Sequence, residues 1–179
     1  MVGEFKLRPR LPLLSGLIRT IISQQLGEPA AWTLYKRFLN LYPNSIPTAV
    51  RIHETPITDI THQGISRAKA TVVKQLASDI HSKKLSLRNL SNLDNEKIIE
   101  TLTNYVGIGE WTANIFLMFS LGRIDVLPMS DLALRRAIIR AYKISQENDA
   151  AIQAITSKWN PYRTIASWYL WRSLGINSI

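Results

Sequence analysis

Apolar residues recur along this chain at helical rather than strand spacing. Leu13, Leu14, Leu17, Ile18, Ile21 and Ile22 fall on one face, and their i, i+4 repeat predicts a first helix over about 13–26. Gly27 and Pro29 interrupt it. Ala31, Leu34, Tyr35, Phe38 and Leu39 form a second pattern, which Tyr42-Pro43-Asn44 stops because the residue before a proline leaves the helical region. A short third helix is expected near 46–53. Ala68, Val72, Val73, Leu76, Ala77 and Ile80 predict a long helix after Gly64, with Ser66 as its cap. Asp94 caps the next, which carries Ile98, Ile99 and Leu102. The segment from Trp111 to Leu121 is almost wholly apolar and reads as a buried helix closed by Gly122. After Leu127-Pro128-Met129-Ser130 the pattern restarts at Asp131 with Leu134, Ala137, Ile138 and Ala141. Ser145 is expected to cap a helix bearing Ile152, Ile155 and Trp159, and Pro161 to open a last helix that ends before Gly175.

No alternating strand pattern stands between these segments, and the linkers are short, as in compact helical folds. The expectation is an all-α fold of eight to ten helices. No Gly/Ser linker and no fixed-period repeat marks a boundary, so residues 1–179 are expected to form one unit.

Composition narrows the function. With 46% hydrophobic and 20% charged residues the chain is globular, which excludes disordered, collagen-like and low-complexity classes. The 22 Lys and Arg outweigh 13 Asp and Glu by +9, and such an excess points to a polyanion, either nucleic acid or a membrane surface. Cysteine is absent, which removes disulfides, Cys-bound zinc, iron–sulfur clusters and thiol catalysis together. His53, His62 and His81 lack ligand spacing. No run of ~18 apolar residues and no signal-peptide core is present. The expected protein is soluble and intracellular, cytoplasmic and nucleoid-associated if prokaryotic, with nucleic acid rather than membrane as its anion.

The stretch from Leu102 to Asp131 carries the candidate chemistry. Gly107 and Gly109 lie between two predicted helices; glycines there open backbone conformations barred to other residues and admit a phosphate, while the N-terminus of the Trp111 helix offers unpaired N–H groups. Such a hairpin grips DNA without using its sequence. A Gly-x-Gly by itself is equally an ordinary tight turn. Asp131, at a helix start, reads on local chemistry as a cap.

Tyr105-Val106-Gly107-Ile108-Gly109-Glu110-Trp111-Thr112-Ala113-Asn114 resembles the hairpin of the helix-hairpin-helix DNA glycosylase superfamily, roughly Leu/Phe-Pro-Gly-Ile/Val-Gly-x-x-Thr-Ala. Within it, Gly-Ile-Gly-x-Trp-Thr-Ala-Asn is similar to the alkylpurine branch, the 3-methyladenine DNA glycosylase II type. Val106 stands where proline is usual. Ile21-Ile22-Ser23-Gln24-Gln25-Leu26 with Ala30-Ala31, Gly64-Ile65-Ser66-Arg67-Ala68-Lys69-Ala70, and Trp159-Asn160-Pro161-Tyr162-Arg163 with Trp168 to Trp171 extend the resemblance over nearly the whole chain. The β-rich N-terminal domain of longer bacterial relatives has no counterpart in it, so a compact form is expected.

The resemblance implies that Asp131 is the catalytic aspartate, stabilising an oxocarbenium-like sugar, orienting or activating water, or both. Trp111 stands where lyase relatives carry the lysine that forms a Schiff base, which implies a monofunctional enzyme that leaves an abasic site. Trp111, Trp171, Trp32 and Tyr35, with Trp168 a further candidate, would wall a pocket for cationic 3-methyladenine or 7-methylguanine, worth about 0.5–2 kcal/mol in cation–π attraction. Core packing explains each aromatic singly as well. Ile115 occupies a position that can be tyrosine in relatives. Gly107, Gly109 and Thr112 are the candidate phosphate-binding amides. Gln25 aligns near the side chain that fills the space of the extruded base, with Leu26 beside it; the plainer alternative is that Gln24 and Gln25 cap a helix end. Arg67, Lys69, Arg135 and Arg136 are expected to line or flank the DNA cleft and to make binding salt-sensitive.

No cofactor is expected beyond a structural Na or K ion on the backbone carbonyls of Thr103, Tyr105 and Gly107. Two lobes, one of about 24–123 and one joining 1–23 to 124–179, would flank the cleft, in a monomer acting on double-stranded DNA with damaged bases. Two alternatives stand beside this one. A glycosylase for deaminated, oxidised or mismatched bases would share every motif, and a noncatalytic helix-hairpin-helix DNA-binding module would account for all but Asp131 and the aromatic cluster.

Overall fold

The structure is a computed structural model that describes residues 3–5, 11–144 and 148–175. Among them are eleven α-helices, more than the eight to ten expected, and two short 3-10 turns, and no strand stands among them, as the periodicity leads one to expect. The helices are α1 (Leu13–Ser23), α2 (Glu28–Leu39), α3 (Ala49–Glu54), α4 (Ile57–His62), α5 (Arg67–His81), α6 (Leu87–Leu90), α7 (Asn95–Thr103), α8 (Glu110–Phe119), α9 (Leu132–Tyr142), α10 (Asp149–Thr156) and α11 (Arg163–Ser173).

Two helices run through the centre. In α1, Leu17, Ile18, Ile21 and Ile22 are fully buried, and so are Phe116, Leu117 and Met118 of α8. They meet closely at Gly16, where a Cβ would come within 2.4 Å of Ser120 Oγ, so a residue that weakens a helix interior is retained for close packing. Around this pair α1 also packs on α2, α5 and α6, α5 packs on α3 and α4, and α7 on α8. On the C-terminal side α9 packs on α11, and Phe5 of the N-terminal segment meets Trp168 edge-on at 5.3 Å. The lobe division remains a proposal. Phe5 joins the C-terminal helices as it requires, whereas α1 packs chiefly on elements of 24–123.

Caps place most boundaries where the sequence puts them. Ser66, Asp94 and Asp131 accept hydrogen bonds from the amides of Lys69, Lys97 and Leu134, each a first-turn donor with no partner inside its helix. The departures have physical causes. Helix α1 stops at Ser23, short of 26, because Gln25 turns into the left-handed region at φ 59. The last helix begins at Arg163 rather than Pro161. The expected cap Ser145 lies outside the described residues, and Asn148 caps α10, accepting from Ala151 N at 2.9 Å. Helices α4 and α6, of six and four residues, are too short to write a periodic pattern.

Candidate active site and hairpin

Asp131 is 9% exposed and begins α9, with its own amide donating to Pro128 O at 2.9 Å. Its Oδ1 accepts from Leu134 N at 2.7 Å and from the indole Nε1 of Trp171 at 3.2 Å. Its Oδ2 accepts from Nε1 of Trp111 at 2.7 Å. The capping role and the candidate catalytic role are therefore compatible. One oxygen is engaged by the helix end and a buried indole, while the other faces a half-buried one. Trp171 is 1% exposed, so its N–H is fixed by packing. All three neighbours donate, and the group is held as an acceptor.

The segment that delivers Asp131 is fastened from behind. Arg163 donates through Nε to Asp125 Oδ1 at 2.6 Å and through Nη2 to Oδ2 at 2.7 Å, the paired geometry that makes Arg–carboxylate contacts directional. Asn160 Nδ2 adds a bond to Oδ2 at 2.9 Å. These contacts hold the Asp125 carboxyl below the usual carboxylate range, with the Arg163 hydrogen bond as the main cause. Thr164, fully buried, donates to Arg123 O and accepts from Val126 N. In the sequence Trp159 to Arg163 carry only a resemblance, and Asp125, Arg163 and Thr164 show no role. A usable signal was present in the arginine of that aromatic motif, which needs a carboxylate if it is not to stand unpaired.

The hairpin follows α7. Tyr105 O accepts from Ile108 N at 2.9 Å, Gly107 takes φ +100, and α8 begins with Gly109 as its N-cap. Ala113 N, bonded to Gly109 O at 3.1 Å, is the first amide of α8 with a backbone partner among the described residues. The amides before it are left for an anion, at the positive end of the helix dipole. The two glycines do different things. Gly107 needs its left-handed backbone, and a Cβ there would meet Val72 Cγ2 at 2.7 Å. Gly109 sits at φ −92, open to any residue, and nothing lies within 4 Å of its absent Cβ; that space is where a phosphate would approach. Val106, in place of the usual proline, is 94% exposed at the tip. Tyr105 anchors the turn through its hydroxyl, which donates to Asp79 Oδ2 at 3.0 Å, and burial together with that carboxylate pushes the phenol up to about 12.

Several expected contacts are used elsewhere. Thr112 is 2% exposed and its hydroxyl accepts from Gln24 Nε2 at 2.8 Å, so its side chain joins the hairpin to α1; its amide, in the first turn of α8, is the part left for a phosphate. Lys69 Nζ donates to Ile22 O at 2.8 Å and Gln24 O at 2.7 Å, closing the C-terminal end of α1, where a cation is favoured; burial lowers its pKa. Arg135 pairs with Asp149. Arg67 and Arg136 are exposed and make no ion pair among the described residues. Tyr35 is a core residue, 1% exposed, whose hydroxyl burial pushes upward in pKa, and it cannot wall an open pocket. Trp32 is 39% exposed, and its ring neighbours are Tyr35, Arg19 and Lys36 rather than Asp131. Trp168 packs on Phe5 and Tyr169. Ile115 is buried at 6%. Of the proposed walls, only Trp111 and Trp171 reach the aspartate.

Among the described residues no group of three or more His, Cys, Asp or Glu side chains could hold a metal ion. The carbonyls of the hairpin are a different donor set. Tyr105 O and Gly107 O each accept one hydrogen bond, from Ile108 N and Gln24 Nε2, and each keeps a second lone pair. Neutral oxygens of this kind suit a monovalent cation. No described helix is long and apolar enough to cross a membrane.

Residues 18–161 match the model of the HhH-GPD superfamily base excision DNA repair protein. The chain is 29% identical over 161 residues to the "alkylbase DNA glycosidase-like protein mag2" of Schizosaccharomyces pombe, covering 88% of this chain and 76% of that one. It is 32% identical over 160 residues to DNA-3-methyladenine glycosylase 1 of the same organism, covering 88% and 70%. The solved structure of the S. pombe 3-methyladenine DNA glycosylase Mag1 in complex with abasic DNA superposes with a TM-score of 0.86 at 30% identity, over 97% of this chain and 87% of that one.

Proposed function

The chain belongs to the HhH-GPD superfamily of base excision DNA repair proteins, and from the site it carries we propose that it is a monofunctional DNA glycosylase that excises alkylated purines. The observation that carries this reading is the convergence of two indole N–H groups, from Trp111 and Trp171, on the carboxylate of Asp131. Aromatic rings and an acceptor-only anion are what a cationic 3-methyladenine or 7-methylguanine nucleotide would meet favourably.

The reaction breaks the bond between C1′ and the base nitrogen and forms a bond from water oxygen to C1′. An alkylated purine already carries a positive charge and leaves as a neutral base, so no group has to protonate it. Asp131 faces the positive charge that develops on the sugar and accepts the proton of the incoming water. Trp111 carries no amine, so no Schiff base forms and the strand stays intact.

Grip on the duplex comes from the free amides of the hairpin, with Arg67 and Arg136 adding charge. Gln25, exposed at a left-handed turn, fills the space of the extruded base, with Leu26, 38% exposed, beside it. The carbonyls of Thr103, Tyr105 and Gly107 would hold a monovalent cation, whose chemistry would be to supply positive charge to the hairpin. The enzyme acts as a monomer inside the cell. Residues about 24–123 form one lobe of the DNA cleft and the C-terminal helices, with Phe5, the other.

The test is release of free bases from methylated duplex DNA, with strand breaks assayed before and after alkali. Release of 3-methyladenine or 7-methylguanine, with breaks only after alkali, supports the reading. Breaks before alkali would overturn the monofunctional assignment, and no release alongside activity on deaminated or oxidised bases would overturn the substrate.

A further inference from the structure

Gln24 reaches the hairpin, 83 positions away along the chain, from beside the exposed Gln25. Its side-chain Nε2 donates to Gly107 O at 2.9 Å and to Thr112 Oγ1 at 2.8 Å. An amide NH₂ has two hydrogens, and here both are used, one on the turn of the hairpin and one on the first turn of α8. Its main chain is held independently, by Lys69 Nζ at 2.7 Å on its carbonyl and by its own amide on Ile21 O at 3.3 Å. Gln24 is thus fixed to the hairpin through its side chain and to α1 and α5 through its backbone.

The next residue is the exposed Gln25, with φ 59, and Leu26 N closes the turn on Ser23 O at 3.0 Å. A left-handed conformation at a residue with a side chain is strained and persists only where its surroundings impose it. The bonds of Gln24 supply that imposition from the N-terminal side.

We infer that Gln24 is a positioning residue that joins the hairpin to Gln25, making phosphate binding and insertion of Gln25 into the duplex one coupled event, with Lys69 fixing the end of α1 from the other side. The inference rests on the glycosylase reading above. Its physical basis is mechanical. A side chain that fills an opened base stack works against base pairing and stacking, and a loose loop would yield. The two amide bonds pass that load to the hairpin, which a bound phosphate holds in place.

The experiment compares wild type with Gln24→Met, which keeps the length of the side chain and loses both donors, and Gln24→Glu, which brings a carboxylate to the Gly107 carbonyl. Single-turnover excision is followed on an alkylated purine in fully paired duplex and on the same lesion within a short unpaired bubble. A 2-aminopurine beside the paired lesion reports unstacking by fluorescence. Both variants are expected to slow excision from paired duplex by about tenfold or more and to lose most of the fluorescence rise. On the bubble, where the opening cost is already met, the loss shrinks to about threefold or less. Gln25→Ala added to Gln24→Met costs much less than Gln25→Ala alone. Equal losses on the two substrates, or additive losses with Gln25→Ala, would overturn the inference. If Gln24→Glu melts at a markedly lower temperature, Gln24→Met decides. A wild type that releases no base from either substrate defeats the glycosylase reading instead, and the 2-aminopurine comparison of wild type with Gln24→Met then still decides the coupling.

Discussion

The hairpin and the Asp131 site solve opposite problems with opposite materials. The hairpin is built from consecutive residues, and its working groups are backbone: a left-handed turn at Gly107 and the unpaired amides that open α8. The Asp131 site is built from side chains 20 and 40 positions away, on α8 and α11. The first tolerates side-chain change, as the 94% exposed Val106 shows, and is vulnerable in its dihedral angles. The second is indifferent to local backbone preference and vulnerable in single polar atoms.

The widest gap between the two regions is opened by Asp131→Asn. Asparagine caps a helix about as well as aspartate, so the melting curve should stay close to wild type. Two indole donors then face a neutral amide, and the charge opposite the developing cation is gone. Base release is expected to fall by at least about 10²–10³, the scale of losing one electrostatic stabiliser, while binding to damaged duplex persists. Turnover within a few-fold of wild type would remove Asp131 from the chemistry.

The glycines sharpen the contrast within the hairpin. Gly107→Ala puts a Cβ at φ +100 and 2.7 Å from Val72 Cγ2, and is expected to cost about 1–3 kcal/mol of stability, read from thermal or urea melts. Gly109→Ala meets no neighbour and should leave stability nearly unchanged. It should nevertheless weaken binding to abasic duplex, because the methyl occupies the approach to the free amides. Equal melting of the two variants would contradict the division of labour between them.

This contrast also explains what could be read before the fold was seen. The all-helical architecture, three of the caps and the hairpin were legible because each depends on neighbours within a few residues. Asp131 was visible as a cap and, through the family resemblance, as a catalytic candidate. That both indoles would turn their N–H groups to it was not, since Trp171 in isolation is one more core aromatic. The side-chain partners of Lys69, Arg135 and Thr112 were out of reach for the same reason. Periodicity reports that a basic or polar residue is present, while its partner, the end of α1, Asp149 or Gln24, is decided by which helices pack together.

Asp125 tests whether the carboxylate site depends on its distant support. Arg163 lowers the pKa of this group, so its stabilising contribution is complete above the ordinary carboxylate value of about 3.9 and is lost as pH falls through the lower folded-state value. Asp125→Asn lacks that contribution at every pH. The stability gap between wild type and variant should be of order 1 kcal/mol near neutrality, modest because the pair is partly solvated, and should close below about pH 4. A gap that widened on acidification would reverse the assigned sign. Base release should fall as well, since the segment from Arg123 to Asp131 loses one of its ties to α11 and keeps only those through Thr164.

The smallest effect distinguishes free cations from engaged ones. Counterion release depends on the number of cations that neutralise phosphates, with a slope of log affinity on log salt near 0.9 per contact. Neutral amides that hold a phosphate would not contribute to that slope. Arg67→Ala and Arg136→Ala should therefore each flatten it by up to about 0.9, because both side chains are exposed and make no ion pair among the described residues. Arg135→Ala should leave it nearly unchanged, its guanidinium being paired with Asp149. Titrations of wild type and the three variants against damaged duplex across a salt series would measure all four slopes. If Arg135→Ala flattens the slope as much as Arg136→Ala does, the pair with Asp149 opens on DNA, and α9 reaches the backbone through both of its adjacent arginines.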